Sequence, residues 1–355
     1  MRRRELRAPA SLALNVFRSV PVAHLAVDGP HVRPVHPIVL DGRVFWHGAT
    51  KGEKSEWVGR TAVLTAHEVV AEIPSWFRHP ERACPATTYY RSGEVRGPLV
   101  QIDDLDLKLA VLQSLMERYQ PEGGYRPLSL EDPMYTGAIR GIGIYAIDGE
   151  PVGRAKLGHD RTDAERHAIL DGLWTRGAPG DDRAIEAIWQ AAPEGSTPPA
   201  RLRGPAGTRL VTRIPDDRVD EAVALVRDEY WNDRWSDAVI AGAMRGSEIW
   251  VGAERDGRLV ATARAMTDGS KMTYVGDVGV HPELRGQGVG SAVMRLLLDH
   301  PRVRHTRWTA LRTRDAEPFY ARLGFERAVP RHETVDLVRF AEEVTGPPSS
   351  GSTTA

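Results

Sequence analysis

Val280-His-Pro-Glu-Leu-Arg285-Gly-Gln-Gly288-Val-Gly290-Ser291 is the stretch on which the reading of this chain turns. Arg285, Gly286, Gln287, Gly288 and Gly290 stand between Met272–Val280, which reads as a strand, and Val289–His300, whose apolar residues recur at helical spacing. Glycines let backbone N–H groups approach a ligand with no side chain in the way. The helix that follows adds its free N–H groups and positive dipole end, which favour phosphate. The Lys-Ser/Thr pair of a Walker sequence is missing, which disfavours nucleotide triphosphate chemistry. Taken alone, the same letters also describe a glycine-rich turn that merely links strand to helix.

Further along, Asp315-Ala-Glu-Pro-Phe-Tyr320-Ala-Arg-Leu-Gly324-Phe325 places Tyr320 on a short helix ended by Gly324. With both motifs in this order, residues 208–340 resemble the GNAT family of N-acetyltransferases. The resemblance implies an α/β fold with a central mixed sheet and acetyl-CoA as cosubstrate. It assigns the pyrophosphate to the loop Arg285, Gly286, Gln287, Gly288, Val289, Gly290 and Ser291, and the pantetheine arm to the backbone of Val278 and Val280. It makes Tyr320 the general acid for the departing thiolate; Tyr320 as a core-edge tyrosine is the plainer alternative. It also makes Asp315, where many relatives carry Asn, a cofactor-binding residue. The chemistry requires a neutral amine, an amide donor for the oxyanion and a proton for the thiolate. The general base stays open among Glu248, Glu254, Asp277, His281 and a water relay. Tyr230, Trp231 and Trp235 either wall an acceptor pocket or pack a core.

The first half reads differently. VPVAHLAV (20–27), VRPVHPIVL (32–40), RVFWHGAT (43–50) and TAVLTAHEV (61–69) are short strands separated by turn signals. Residues 87–100 read as a pair of strand-like pieces and 104–119 as a helix. Residues 138–147 read as a strand, and 163–173 and 183–190 as helices. Many short strands with few helices suggest a barrel. Lys51, Lys54 and Ser55, beside glycine, would suit a phosphate; a solvated loop is the bland reading. WHGA (46–49), IPSW (73–76), TTYY (87–90) and AKLGHD (155–160) follow one another as in the flavin-type split-barrel superfamily. The nearest branch is the family named FMN-binding negative transcriptional regulators, which includes haem-dependent piperazate synthases that form an N–N bond. The resemblance implies haem b or FMN as cofactor, His47 as the haem-iron ligand, and a homodimer that builds its site across the interface. His-Gly stands here where that branch has Gly-His, and Thr-Thr where Trp-Asn is usual. A lone strand histidine is more often a packing or surface residue.

Between the halves, Ala191–Gly207 holds four prolines and three glycines in 17 residues, with no apolar period. It reads as a semi-rigid linker. The expected organisation is a barrel over 1–190, the linker over 191–207, a transferase over 208–343 and a disordered tail over 344–355. At 355 residues two domains are the prior. Residues 205–343 carry 21 Lys+Arg and 22 Asp+Glu, so of the chain's 47 and 48 the rest carries 26 and 26. Neither half has the basic excess of a nucleic-acid binder. The single cysteine, Cys84, excludes an internal disulfide framework and suits a reducing cytoplasm. No apolar run is long enough to span a membrane. The expected function is an acetyl-CoA-dependent N-acetyltransferase acting on a small amine or amino-acid derivative, fused to a haem- or flavin-binding barrel. The alternative is a regulator whose barrel serves as a sensor or dimerisation module.

Overall fold

A computed structural model of the chain describes residues 6–29 and 31–328. They form one compact unit through Leu311 and a second from Arg312. The first half of the larger unit contains β1 (Arg7–Ala8), α1 (Ala10–Ser19), β2 (Ala23–Val27), β3 (His31–Val35), β4 (Ile38–Leu40), β5 (Arg43–Ala49) and α2 (Glu53–Glu56). It continues with β6 (Thr61–Ile73), β7 (Thr87–Ile102), α3 (Leu105–Tyr119), α4 (Pro133–Gly141), β8 (Ile142–Ile147), β9 (Pro151–Lys156), α5 (Asp163–Arg176) and α6 (Asp181–Gln190). The strands make one sheet in the order β3-β2-β6-β7-β8-β5-β4, with β9 beside β7 and β1 beside β9.

The 16-residue β7 is the strand at which this sheet branches. It pairs with β6 over most of its length, and its second neighbour changes from β9 at Tyr90–Val95 to β8 at Leu99–Ile102. The sequence breaks this strand into two pieces at Gly93 and Gly97-Pro98. In the fold, pairing on both sides carries the backbone through them. Gly93 lies opposite Gly153 on β9. A Cβ at Gly93 would stand 2.8 Å from the Ala13 carbonyl oxygen, and one at Gly153 2.6 Å from that of Pro9. The paired glycines make the flat place on which α1 lies, and Val16 and Phe17 enter the core beside Leu25, Trp46, Leu64, Leu99 and Tyr145. On another face α3 lays Val111 and Leu115 on Ile38, Phe45, Ile102 and Ile144. Residues 138–141, expected as strand, end α4 instead. Asp132 accepts the Met134 N–H at 2.9 Å and Pro133 takes the first helical turn.

The second half contains β10 (Arg209–Val211), α7 (Val219–Ala224), α8 (Asp237–Arg245), β11 (Ile249–Arg255), β12 (Arg258–Thr267), β13 (Met272–Val280), α9 (Val289–Leu298) and β14 (Trp308–Ala310). They form a five-stranded sheet in sequence order. It is mixed, because only β13 and β14 run parallel. α7 and α8 cover Val211, Trp250 and Leu259 on one face. The smaller unit holds α10 (Glu317–Ala321). The strand expected at 334–338 and the tail from Gly346 lie outside the described residues. No described helix is long and apolar enough to cross a membrane.

The α5–α6 hairpin fastens the two halves together. On the barrel side Arg176 donates to the Glu72 carbonyl at 2.7 Å, and α5 passes so close to Phe77 that a Cβ at Gly172 would sit 2.5 Å from its ring. On the other side Glu186 of α6 is 4% exposed. It takes the Thr212 N–H at 2.7 Å, the Thr212 hydroxyl at 2.8 Å and Arg209 Nη1 at 2.9 Å. Arg209 reaches on to Glu254 at 2.7 Å, which also receives Arg218 at 2.7 Å. This covers the edge strand β10. The segment 191–207 is likewise held: Leu202 is buried, and Asp163 accepts both the N–H and the hydroxyl of Thr197 at 3.0 and 3.1 Å. The Thr197 N–H lowers the Asp163 carboxyl to a pKa of about 2. Glu186→Gln keeps the shape but removes the charge facing Arg209, and should lower the unfolding free energy in urea by about 3 kcal/mol. A loss within ~0.5 kcal/mol of zero, the usual range for surface changes, would show that the pair contributes little.

Candidate functional site

The site of the second half grows out of an irregularity in β13. Its register with β12 jumps from Thr262↔Gly279 to Arg264↔Gly276, so Asp277 and Val278 form a bulge. Asp277 has φ 47°, a conformation that side chains other than glycine rarely adopt. Its carboxylate is buried and fully engaged. Trp231 Nε1 donates at 3.0 Å and Asn232 Nδ2 at 3.1 Å to one oxygen, and Arg264 Nε binds the other. Asp277 therefore holds the segment around residues 230–235 against the bulge. Trp231 packs edge-on against Tyr230 at 4.9 Å, while Trp235 stays exposed.

Beyond the bulge the second edge of β13 has no strand partner among the described residues. β14 pairs with it only from Met272 to Tyr274. The His281 N–H bonds the Val260 carbonyl at 2.9 Å, so by strand alternation Val280 turns its N–H and C=O away from β12. That edge leads into the glycine loop. Pro282–Leu284 make one 3-10 turn, Gly286 and Gly288 adopt φ 76° and 85°, and Gly288 begins α9 with no side-chain cap. Val289, Gly290 and Ser291 form the first turn of that helix, so their N–H groups have no carbonyl four residues back within it. Arg285 donates to the Val280 carbonyl at 3.1 Å and to Glu229 at 2.7 Å, and Gln287 donates to the Glu283 carbonyl at 2.6 Å. The structure thus brings Val278, Val280 and the loop 285–291 together in one place.

Three of the four candidate bases are in ion pairs. Asp277 binds Arg264, Glu248 binds Arg302 at 2.8 Å, and Glu254 binds both Arg209 and Arg218. Burial alone would raise the Glu254 carboxyl, but the two arginines hold it below the usual range. His281 is exposed. Tyr320 and Asp315 belong to the smaller unit. There Tyr320 lies between the rings of Phe319 and Phe325, at 4.9 and 5.8 Å, and Gly324 at φ 88° turns the chain after α10. Asp315 lies 3.7 Å from Arg314.

In the barrel, Trp46 points into the core and stacks on Tyr145, so His47 points to the opposite face of β5, shared with Phe45. His47 is half-buried. Burial, then His36 and Lys54, push its pKa below the ordinary histidine value, which favours a neutral imidazole. Gly48 brings Lys54 near, since a Cβ there would lie 3.7 Å from the Lys54 chain. Ser55 spends its hydroxyl proton on the Gly52 carbonyl at 2.6 Å, and Lys51 is exposed. Between these residues, Glu53 is already bound by Arg33 at 2.7 and 2.9 Å.

The structure adds groups that the motifs did not mark. Arg78, one residue beyond Phe77, binds Glu165, and Arg161 approaches the same carboxylate at 3.9 Å. Burial raises the Tyr89 hydroxyl, with Arg161 and Arg78 opposing. The Nε atoms of Arg78, Arg154 and Arg161 are buried without a hydrogen-bond partner among the described residues, and that of Arg161 lies 3.7 Å from Asp160. Among the described residues no group of three or more His, Cys, Asp or Glu is placed to hold a metal ion.

Residues 214–325 match the acetyltransferase (GNAT) family and residues 10–153 match pyridoxamine 5'-phosphate oxidase. No curated protein matches the chain. Among solved structures, a GNAT-family protein from Xanthomonas campestris pv. campestris is 29% identical over 38% of this chain and 96% of its own, with a TM-score of 0.34. A flavocytochrome from Azotobacter vinelandii is 18% identical over 44% and 72%, with a TM-score of 0.37. An FAD- and haem-binding protein from Mycobacterium smegmatis is 14% identical over 42% and 73%, with a TM-score of 0.35. Through residues 10–153 and 214–325 the chain joins a pyridoxamine-oxidase-like split barrel to a GNAT acetyltransferase domain.

Proposed function

We propose that residues 208–343 transfer the acetyl group of acetyl-CoA to the amine of a small amino-acid derivative. The observation that carries this reading is the continuity of the β13 edge, the bulge at Asp277 and the uncapped glycine start of α9. The loop and the first turn of α9 offer N–H groups and a positive dipole end to the pyrophosphate. The Val280 N–H, turned away from β12, with Val278 in the bulge, offers backbone partners to the pantetheine arm. The neutral amine attacks the thioester carbonyl carbon and an oxyanion forms that a strand N–H stabilises. The C–S bond then breaks, and Tyr320 supplies the proton to the thiolate. With Glu248, Glu254 and Asp277 engaged in ion pairs, water or His281 takes the proton that the amine loses.

For the barrel we propose a haem or flavin site on the His47 face. The half-buried neutral imidazole suits an iron ligand, and Lys51 and Lys54 suit a flavin phosphate. Haem would supply redox chemistry there, and N–N bond formation on a related amino acid is the reaction its sequence likeness favours. Exposed Val69 and Trp76 fit a homodimer built through the barrel. Neither nucleic acid nor membrane enters this reading, and the cytoplasm is its setting.

Three outcomes test it. Gly290 lies inside α9 and is not among the residues at positive φ, so its backbone accepts a side chain. Gly290→Val should lower acetyl-CoA affinity more than about tenfold by calorimetry, with the melting temperature held; unchanged affinity would refute the docking site. Tyr320→Phe keeps the ring and should slow kcat about 100- to 10,000-fold at unchanged KM for acetyl-CoA, once an amine screen has found an acceptor. Turnover within a factor of about three of the parent would remove Tyr320 as the acid. The purified protein reconstituted with haem should show a Soret band that His47→Ala loses, whereas flavin absorption retained by His47→Ala places flavin in the barrel.

A further inference from the structure

Arg285, the first residue of the glycine loop, does not point freely into solvent. Its Nε donates to the Val280 carbonyl at 3.1 Å, and its Nη2 donates to Glu229 at 2.7 Å. Glu229 follows α7 and directly precedes Tyr230 and Trp231. One guanidinium thus joins that segment, the end of β13 and the glycine loop. Among the described residues the Glu229 carboxylate has no other hydrogen-bond or ion-pair partner. The segment that carries Glu229 is seated on β13 on either side of it. Before Glu229, the chain lies so close that a Cβ at Gly279 would stand 2.9 Å from the Leu225 carbonyl oxygen and 2.6 Å from the Val226 side chain. After it, Trp231 and Asn232 bond Asp277, and the Asn232 N–H donates to the Glu229 carbonyl at 2.8 Å. The backbone therefore brings Glu229 to Arg285, and the pair is not a chance meeting of two long side chains.

The charge balance of the loop gives this pair a consequence. From Pro282 to Met294, Arg285 is the single basic residue. The other donors there are neutral backbone groups, and the N–H groups of Gly286 and Gly288 make no hydrogen bond among the described residues. A charged donor holds a phosphate oxygen more strongly than a neutral one does. Yet the only cation of the loop is already neutralised by a carboxylate, and it covers the Val280 carbonyl on the side away from β12. The Arg285 side chain is 56% exposed and that of Glu229 28%, so water screens the pair. An ion pair of that exposure is weak enough for a multiply charged anion to displace.

We propose that Glu229 is a positioning residue of the cofactor site: it holds Arg285 across the end of β13, and the pyrophosphate of acetyl-CoA docks by taking Arg285 from it. The inference rests on the acetyl-transfer reading. When CoA leaves, the carboxylate takes Arg285 back, so Glu229 lowers the affinity for cosubstrate and product alike. The test is calorimetry of acetyl-CoA with the full chain. Glu229→Gln keeps the side-chain size and frees Arg285, and it should tighten binding about threefold or more at an unchanged melting temperature. A purely structural role for Glu229 would weaken binding or leave it unchanged. Asp228→Asn is the control. Asp228 is exposed and makes no side-chain hydrogen bond or ion pair among the described residues, so this variant removes the same charge one residue away without touching Arg285. It should leave the affinity within about 1.5-fold of the parent, because solvent screens an exposed charge. Equal or weaker binding in Glu229→Gln, or the same gain in Asp228→Asn, overturns the proposal and leaves the acetyl-transfer reading standing. A parent chain that binds no acetyl-CoA removes both.

Discussion

Asp277 is the constraint on which the transferase half depends. A non-glycine residue at positive φ costs about 1 kcal/mol or more, and a buried carboxylate costs more unless it is satisfied. Here Trp231, Asn232 and Arg264 supply donors to both oxygens. The strain and the three bonds fix one another. The bulge stays at 277–278, and the strand beyond it keeps its direction. The loop at 285–288 is consequently delivered to the same side of the sheet edge. Local disorder of the 230–235 segment would therefore be felt along β13.

The arginine bias of the composition has a structural use. With only five lysines in the chain, most fastening falls to guanidinium groups. Arg209 spans Glu186 and Glu254, Arg218 spans Glu254 and Glu221, and Arg264 joins β12 to Asp277. A planar fork can serve two carboxylates from a single position, which an ammonium does with less geometric definition. Glu254 thus links β10, β11 and the start of α7.

What the sequence made legible was local. Glycine spacing and the apolar period of 289–298 placed the loop between strand and helix, because both signals lie within a dozen residues. The motif around Tyr320 marked a helix ended by Gly324, which α10 matches. The bulge was invisible, since MTYVGDVGV alternates as an unbroken strand would and the irregularity comes from pairing with β12. β7 read as two strands because Gly93 and Gly97 weaken the pattern, whereas their purpose is to let α1 and a neighbouring turn come close. Glu186 inside a helix looks solvated until Thr212 and Arg209 are placed against it. The segment 191–207 read as spacer because proline and glycine hide the few anchors, Leu202 and Thr197, that tie it down.

The α5–α6 hairpin blurs the line between the halves. α6 precedes the proline-rich seam, yet its Glu186 completes the hydrogen bonds of β10, a strand of the second sheet. A cut through 191–207 would strip the second half of its outer layer, leave the Thr212 N–H without its acceptor and leave Arg209 with Glu254 alone. The structural unit that keeps β10 covered therefore begins no later than Thr162, with the capping box that starts α5. By that measure the seam visible in the composition and the seam in the physics lie some way apart.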